Sequence, residues 1–356
     1  MHIIGIGTAT PPLRYSQNDC YLAFANSDLF NNLSVHSQAI LKKVLNGGSG
    51  IKTRFLALNP LHEFINFNPD ALYERFLQHA PALAVKSARK ALAAANINAD
   101  DIDGIVVSTC TGYLCPGLSS YVIEQLSLKP GTVALDLVGH GCSAALPNLQ
   151  TAEALLALNG RCRTVISICV EVCSAAFYLD DDPGVLISAC LFGDGAAAVI
   201  LRNKPVANNR RIQWTACTSL INPEQRDLLR FEQRNGMLRN ILTPPVPRLA
   251  ARYADDVLTS LLAEQRLEKK DICTWIWHTG GRDVLNAIEE HIKLDENDMR
   301  WSREILSECG NMSSPSVLFV LERALNSNAP SGWWWLSSFG AGFSSYGALL
   351  RVDDRI

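Results

Sequence analysis

The chain has 356 residues, of which 48% are hydrophobic and 19% are charged, so it is long enough to bury a large core. The formal net charge of −3 and the lack of a long basic run give no indication of nucleic-acid binding. No secretion signal is visible at the N-terminus, and no apolar stretch is long enough to span a membrane. Because eleven cysteines in such a chain are typical of reduced thiols, we expect a cytoplasmic protein.

Strand-like and helix-like segments alternate along the chain and predict an α/β protein. Residues 3–7 predict a buried strand, and residues 17–45 predict helix in two pieces. The elements predicted next are a strand at 51–55, a helix at 73–95, a strand at 105–108, a helix at 118–126, a strand at 132–137 and a helix at 144–158. The polar segment 222–246 is expected to cross one face, where a substrate tunnel or a partner could lie. Residues 333–335, three tryptophans, predict a core strand with alternate rings on opposite faces.

Three landmarks of the first half recur in the second half in the same order. Residues 101–109 match 271–279, residues 141–146 match 310–315, and residues 192–195 match 339–342. A single match could be chance similarity between βα units, but three in order favour duplicated halves packed as a pseudo-dimer. We therefore expect an N-terminal half at residues 1–205 and a C-terminal half at 206–356, joined by the polar residues around 203–211.

Cys142 is the candidate nucleophile. It lies among small residues at the start of the predicted helix 144–158, where the helix dipole stabilises an anion. The thiolate is the nucleophilic form of cysteine. A cysteine taken alone is more often a small buried hydrophobe, so the role of Cys142 depends on what the fold places beside it.

Packing of the two halves about a pseudo-twofold axis would bring His278 and Asn311 to Cys142. A histidine beside a cysteine lowers the thiol pKa, and an amide together with an imidazole N–H binds a developing oxyanion or enolate. Taken singly, His278 could be a satisfied core histidine and Asn311 a helix N-cap. Together the three suit acyl transfer onto sulfur, followed by decarboxylation of a second acyl unit.

Six motifs in this chain resemble those of one enzyme family. They lie at residues 110–117, 141–144, 191–198, 278–281, 307–314 and 339–342. They resemble the motifs of type III polyketide synthases, the chalcone synthase-like enzymes of the thiolase superfamily, with 110–117 in its bacterial form. The resemblance covers nearly the whole chain. It implies a thiolase-like five-layer αβαβα fold made of two duplicated halves, and a homodimer.

The resemblance also implies roles for individual residues. Cys142 would accept the acyl group, while His278 and Asn311 would orient malonyl-CoA and stabilise its enolate. Phe192 would be the gatekeeper between the CoA tunnel and the elongation cavity. The residues that would shape this cavity are Cys110, Cys115, Gly236 and Ser313. The substrates would be malonyl-CoA and an acyl-CoA starter, with no metal and no bound prosthetic group.

The chain departs from the family pattern in places. Thr279 stands where the family usually has proline after the histidine. The basic residues Lys42, Lys43, Lys52 and Arg54 could hold the CoA phosphates or form a solvated charged face. The stretch after Gly236 is closer in length to bacterial members, so a plant flavonoid substrate is not supported, and the product is left open.

Three alternatives compete with this interpretation. A ketoacyl-ACP synthase III shares the superfamily and the triad, but His278 here precedes Thr279-Gly280-Gly281 rather than a Gln-Ala-Asn-like run, which favours CoA substrates. A metal-binding or redox protein could use four thiolates, those of Cys110, Cys115, Cys169 and Cys173, although their spacing is looser than in usual zinc pairs. A non-catalytic thiolase-fold scaffold would leave the three candidate catalytic residues without a reason to coexist.

Overall fold

The computed structural model describes residues 1–65, 67–158, 160–205 and 210–354. Its strands are β1 (His2–Ala9), β2 (Arg14–Ser16), β3 (Thr53–Phe55), β4 (Gly104–Ser108), β5 (Val133–Leu137), β6 (Thr164–Glu171), β7 (Gly195–Arg202), β8 (Arg211–Ile221), β9 (Leu229–Arg234), β10 (Met237–Leu242), β11 (Ile272–Trp277), β12 (Gly332–Gly340) and β13 (Ser344–Asp353). Its helices are α1 (Gln17–Ala25), α2 (Asp28–Asn31), α3 (Val35–Lys43), α4 (Pro69–Ala95), α5 (Leu118–Leu126), α6 (Ala145–Ala157), α7 (Pro183–Leu191), α8 (Val246–Gln265), α9 (Arg282–Ile292), α10 (Glu296–Cys309) and α11 (Ser316–Asn326).

The strand pairing shows that the two halves share one topology. In the first half, β7 runs antiparallel to both β1 and β6, and β6 runs parallel to β4. In the second half, β13 runs antiparallel to both β8 and β12, and β12 runs parallel to β11. The two sets meet where β1 pairs with β8 at His2–Gln213 and Ile3–Ile212. The duplication predicted from the three landmarks is confirmed.

Among the described residues, three of the four hydrophobic cores separate the layers of the molecule, and the fourth packs α1, α3 and α7 together. The central core contains α6 and α11 between strands of both halves. One outer core packs α4 and α5 on the first set of strands, and the other packs α8, α9 and α10 on the second. The result is the five-layer αβαβα arrangement that the motifs implied. The expected boundary between residues 205 and 206 touches residues 206–209, which lie outside the described part, so the division into 1–205 and 206–356 stays a prediction.

The tryptophan run at 333–335 follows the strand pattern predicted for it. Trp334 lies in the central core, whereas Trp335 lies in the outer core of the second half and Trp333 packs against that outer core. Successive residues of a strand point to opposite faces, so β12 places one ring on each side in turn. This strand thus helps to join the central core to the outer core of the second half.

Residues 17–45 contain three helices rather than the two predicted. α7 begins after the loop residues 180–182, and Asp182 caps it by accepting from the N–H groups of Gly184 and Val185. A proline that follows such a cap is a helix start as well as a turn signal. Residues 222–246 contain a β9–β10 hairpin, and its position is central to the site. Within the described residues, no helix is long and apolar enough to cross a bilayer.

Candidate active site

Cys142 lies on a tight turn between β5 and α6. The turn is a 3₁₀ segment, Gly141–Ser143, in which Gly141 has φ +57°. The Ser143 hydroxyl donates to the His140 carbonyl at 2.7 Å and fixes the turn. A Cβ on Gly340 would lie 2.6 Å from the Ser143 nitrogen, so only glycine lets the second half approach this closely. The sequence motif 339–342 therefore packs directly against the Cys142 turn.

Asn311 reaches the same turn from the second half. The side chains of Ser313 and Asn311 lie near the Cys142 thiol and act to lower its pKa. The Asn311 amide donates from Nδ2 to the Gly280 carbonyl at 3.3 Å, and its Oδ1 accepts from the Ser313 N–H at 2.8 Å. These bonds define the orientation of the amide and bring three predicted residues, Cys142, Asn311 and Ser313, into contact.

His278 follows the end of β11 and is only 1% exposed. The backbone N–H of His278 donates to the Ser337 carbonyl at 3.0 Å. The imidazole ring packs edge-to-face with the Phe339 ring, and the two ring centroids are 5.2 Å apart. Nδ1 of the ring is buried without a hydrogen-bond partner. A Cβ on Gly280, whose carbonyl accepts from Asn311, would lie 3.5 Å from the His278 ring. The ring therefore borders the Asn311 side of the site.

Burial determines the protonation of the site at rest. Loss of water raises the pKa of the Cys142 thiol to about 12, although hydrogen bonds from Ser313 and Asn311 act in the opposite direction. The same loss lowers the pKa of His278 to about 3. Burial opposes the charged form of each group, because a lone charge here would be separated from water. The expectation that His278 lowers the thiol pKa stays a prediction. Burial thus favours a neutral thiol and a neutral imidazole, and the neutral imidazole is the form that accepts a proton.

A mainly apolar cavity opens onto Cys142. Phe192, Cys110 and Ser313, all predicted to shape a cavity, line it. Its other walls come from α7 and from the β9–β10 hairpin, including Val185, Ala189, Leu229, Phe231 and Asn240. The polar segment 222–246 thus does cover the site, as its position in the sequence suggested.

Two predicted cavity residues lie elsewhere. Cys115 is exposed, and Gly236 forms the tip of the β9–β10 hairpin with φ +77°, beside Pro69. Neither belongs to the described lining of the cavity. Asn240, on β10, lines the cavity. The Asn235–Gly236 dipeptide is typical of a hairpin turn, so it could have indicated that the residue facing the cavity lies on the strand after Gly236.

Sequence reasoning also missed Glu171, a fully buried carboxylate at the end of β6. It accepts hydrogen bonds from the Cys110 N–H and the Thr111 hydroxyl, at 2.9 Å each. On the other side it accepts from the Ser314 hydroxyl at 2.6 Å and from that of Ser313 at 3.4 Å. Burial raises the pKa of this carboxyl group. Glu171 joins the Cys110 loop of the first half to the segment after Asn311 in the second.

The four cysteines of the metal alternative are not grouped as ligands. Cys169 is buried and accepts from the Ser108 hydroxyl at 3.2 Å, whereas Cys115 is exposed. Across the described ranges, no group of three or more His, Cys, Asp or Glu side chains is arranged to hold a metal ion.

Comparison with known proteins adds sequence and fold relationships. The profile of the family described as FAE1/type III polyketide synthase-like protein matches residues 17–217, and that of the C-terminal domain of chalcone and stilbene synthases matches residues 215–352. The chain is 30% identical to a 3,5-dihydroxyphenylacetyl-CoA synthase of Amycolatopsis orientalis and 30% identical to a 1,3,6,8-tetrahydroxynaphthalene synthase of Streptomyces peucetius subsp. caesius. Each alignment covers 98% of this chain and 92% of the relative.

Solved structures agree in fold. PKS-I of the brown alga Ectocarpus siliculosus superposes with a TM-score of 0.89 at 24% identity, over 99% of this chain and 98% of that one. The 1,3,6,8-tetrahydroxynaphthalene synthase of Streptomyces coelicolor A3(2) gives 0.89 at 22% identity, over 99% and 100%. The chain therefore belongs to the type III polyketide synthase family of acyltransferase-type condensing enzymes.

Proposed function

We propose that Cys142, His278 and Asn311 catalyse iterative decarboxylative condensation of malonyl-CoA onto an acyl-CoA starter. One observation carries the proposal: Cys142 faces an apolar cavity beside Phe192 and Ser313, and the Ser313 N–H donates to the Asn311 amide and holds it at this site. The nucleophile, the polar donors and a space for the growing chain are therefore adjacent. Both substrates are CoA thioesters, and the reaction uses no separate cofactor.

Loading of the starter begins with the neutral pair. The Cys142 thiol gives its proton to the His278 ring as sulfur attacks the thioester carbonyl, so the two charges arise together. The tetrahedral oxyanion then collapses, the carbon–sulfur bond to CoA breaks, and the CoA thiolate takes the proton from His278. The acyl group is left on Cys142 as a thioester.

Extension requires stabilisation of an enolate rather than a base. Malonyl-CoA loses CO2, and the two electrons of the broken bond form the enolate of acetyl-CoA. The Asn311 Nδ2–H and an imidazole N–H of His278 donate to the enolate oxygen. The enolate carbon attacks the Cys142 thioester, forms a carbon–carbon bond and releases the sulfur as thiolate. Transfer of the longer chain back to Cys142 begins the next round, and cyclisation releases an aromatic or pyrone product.

The relatives are named for two different products, and the chain is 30% identical to one of each kind. We therefore propose the reaction class, and a panel of acyl-CoA starters identifies the starter and the ring closure.

We further propose a homodimer in the cytoplasm. β5 ends the sheet, and its residues Ala134 to Asp136 are exposed. Large apolar side chains are exposed on this strand and the adjoining loops: Leu135 at 39%, Val138 at 63% and Tyr113 at 72%. An exposed strand edge with apolar neighbours favours association with a second copy. All eleven cysteines are unpaired, which supports a reducing compartment.

Intact-protein mass spectrometry tests the catalytic proposal. The enzyme is mixed with malonyl-CoA and a panel of acyl-CoA starters, beside Cys142→Ala and the matched variant Cys110→Ala. We expect an acyl adduct that Cys142→Ala abolishes and Cys110→Ala retains, with a polyketide released by the wild type. An adduct formed only from acyl-carrier-protein substrates would favour the ketoacyl-ACP synthase alternative. No adduct from either source would refute the proposal.

A further inference from the structure

A buried arginine lies behind the site. Arg54, on β3, is 1% exposed, and Gln17, at the start of α1, is 3% exposed. The Arg54 guanidinium donates from Nε to the Gln17 Oε1 at 2.9 Å, and from Nη1 to the carbonyls of Ala189 and Phe192 at 2.8 Å each. Within the described residues, no carboxylate forms an ion pair with it. Backbone carbonyls therefore replace the usual counter-ion.

These bonds complete the C-terminus of α7. The last carbonyls of a helix have no partner within the helix, and Phe192 continues in extended conformation without a left-handed cap. Each carbonyl of the last turn nevertheless has a donor: Ser188 from the Phe192 N–H, Ala189 from Arg54, Cys190 from Gln17 Nε2, and Leu191 from the Asn311 N–H. A cation at this end of a helix also complements its dipole.

The same helix end is joined to Asn311. Phe192 and Asn311 form an isolated β-bridge, and the Gly193 N–H donates to the Asn311 carbonyl at 2.9 Å. The Arg54 stem packs on Gly310, where an added Cβ would lie 3.1 Å from the Arg54 Cγ. Arg54 thus contacts both segments that carry the candidate gatekeeper and the candidate enolate donor.

We propose that Arg54, supported by Gln17, is a positioning residue for the condensation step. It fixes the Phe192 ring and the Asn311 amide relative to each other without touching substrate. This inference rests on the proposed function. The sequence offered two other roles for Arg54, a solvated surface charge and a ligand of the CoA phosphates. A buried guanidinium that donates to carbonyls fits neither role.

Arg54→Lys tests the inference, because lysine keeps the charge but loses the planar fork that spans Gln17 and two carbonyls. Two steps are measured separately: acylation of Cys142 in a single turnover, by mass, and the rate of product formation per acylated enzyme. Acylation depends on the Cys142 turn, which Arg54 does not contact, so we expect it to change little. We expect the condensation rate to fall about 10- to 100-fold, since small misplacements of reacting groups have effects of this size.

Arg75→Lys is the matched control. Arg75 is 8% exposed and also donates to backbone carbonyls, those of Ser174 at 2.7 Å and Glu63 at 3.2 Å. It has no hydrogen bond to the α7 end or to Gly310–Asn311, so we expect no selective loss of condensation.

Three results define the outcome. An unchanged condensation rate in Arg54→Lys overturns the inference. So does a loss in which acylation and condensation fall equally and to the same extent in Arg54→Lys as in Arg75→Lys. If Arg54→Lys does not fold, Gln17→Ala is measured by the same criterion, because it removes one bond to the guanidinium and one to Cys190. Failure of the wild type to acylate Cys142 contradicts the proposed function instead, and is visible before any variant is made.

Discussion

The two turns that the internal repeat relates, at Cys142 and at Asn311, begin alike and then differ. Each residue follows a glycine with positive φ, +57° at Gly141 and +72° at Gly310. After Cys142 the chain enters α6 almost at once, whereas α11 begins only at Ser316, after a left-handed residue at Ser313. The first turn presents a thiol at a helix start, and the second presents an amide ahead of its helix. Duplication has therefore given one site two different chemical groups from the same backbone plan.

Removal of His278 is expected to have the largest effect, because this residue serves both turns. In the proposed mechanism its ring accepts the Cys142 proton and later donates to the enolate beside Asn311. We expect His278→Ala to lower the acylation rate by about 100- to 10,000-fold, and condensation as well. Single-turnover acylation and product formation are measured on the same preparation. Normal acylation in this variant would show that Cys142 has another base.

Removal of the Asn311 amide should lower the rate of condensation but not the rate of acylation. We expect Asn311→Ala to acylate Cys142 at a rate near that of the wild type. Condensation should fall by about 100- to 1000-fold, the usual loss for one oxyanion donor. Release of CO2 from malonyl-CoA, followed beside acylation, checks this split. An equal loss of both steps would mean that the amide mainly maintains the Cys142 turn. Ser313→Ala, which retains the amide, is the matched control.

Glu171 connects the two turns and gives a prediction for stability. Its buried carboxylate accepts from the Cys110 loop and from Ser313 and Ser314. Glutamine at this position would direct an NH2 group toward some of these donors, so we expect Glu171→Gln to lower the free energy of unfolding by about 1–3 kcal/mol. Urea unfolding measures the change, and Asp103→Asn, at a partly exposed carboxylate, is the control. An unchanged midpoint would show that the connection contributes little.

The comparison also shows what a sequence can predict about such a site. The paired landmarks and motifs predicted the fold and brought Cys142 and Asn311 together, because both are read from residue types at fixed places in a repeat. Gly236 and Cys115 lie outside the described lining of the cavity, so their cavity roles stay predictions. The bend of a hairpin or loop decides which side chain faces inward, and a motif does not determine that bend.

Arg54 marks a different limit. Lys52 and Arg54 are two residues apart at β3, yet Lys52 is exposed and Arg54 is buried. The difference arises from α7 and Gly310, which are distant in sequence and supply the carbonyls and the packing surface. No local pattern around residues 51–55 carries that information, so the sequence predicted only a basic patch.

The smallest expected effect concerns the residue after the histidine. Thr279 is fully buried, and its hydroxyl donates to the Gly310 carbonyl at 3.3 Å, so it joins the end of β11 to the glycine that precedes Asn311. Valine has nearly the same shape but no donor, and we expect Thr279→Val to lower the free energy of unfolding by about 1 kcal/mol. Because Arg54 and the Asn311 backbone bonds hold the same turn, condensation should change much less than in Asn311→Ala. A larger loss of condensation than of stability, measured by product formation and urea unfolding, would show that this hydroxyl itself orients the Asn311 turn.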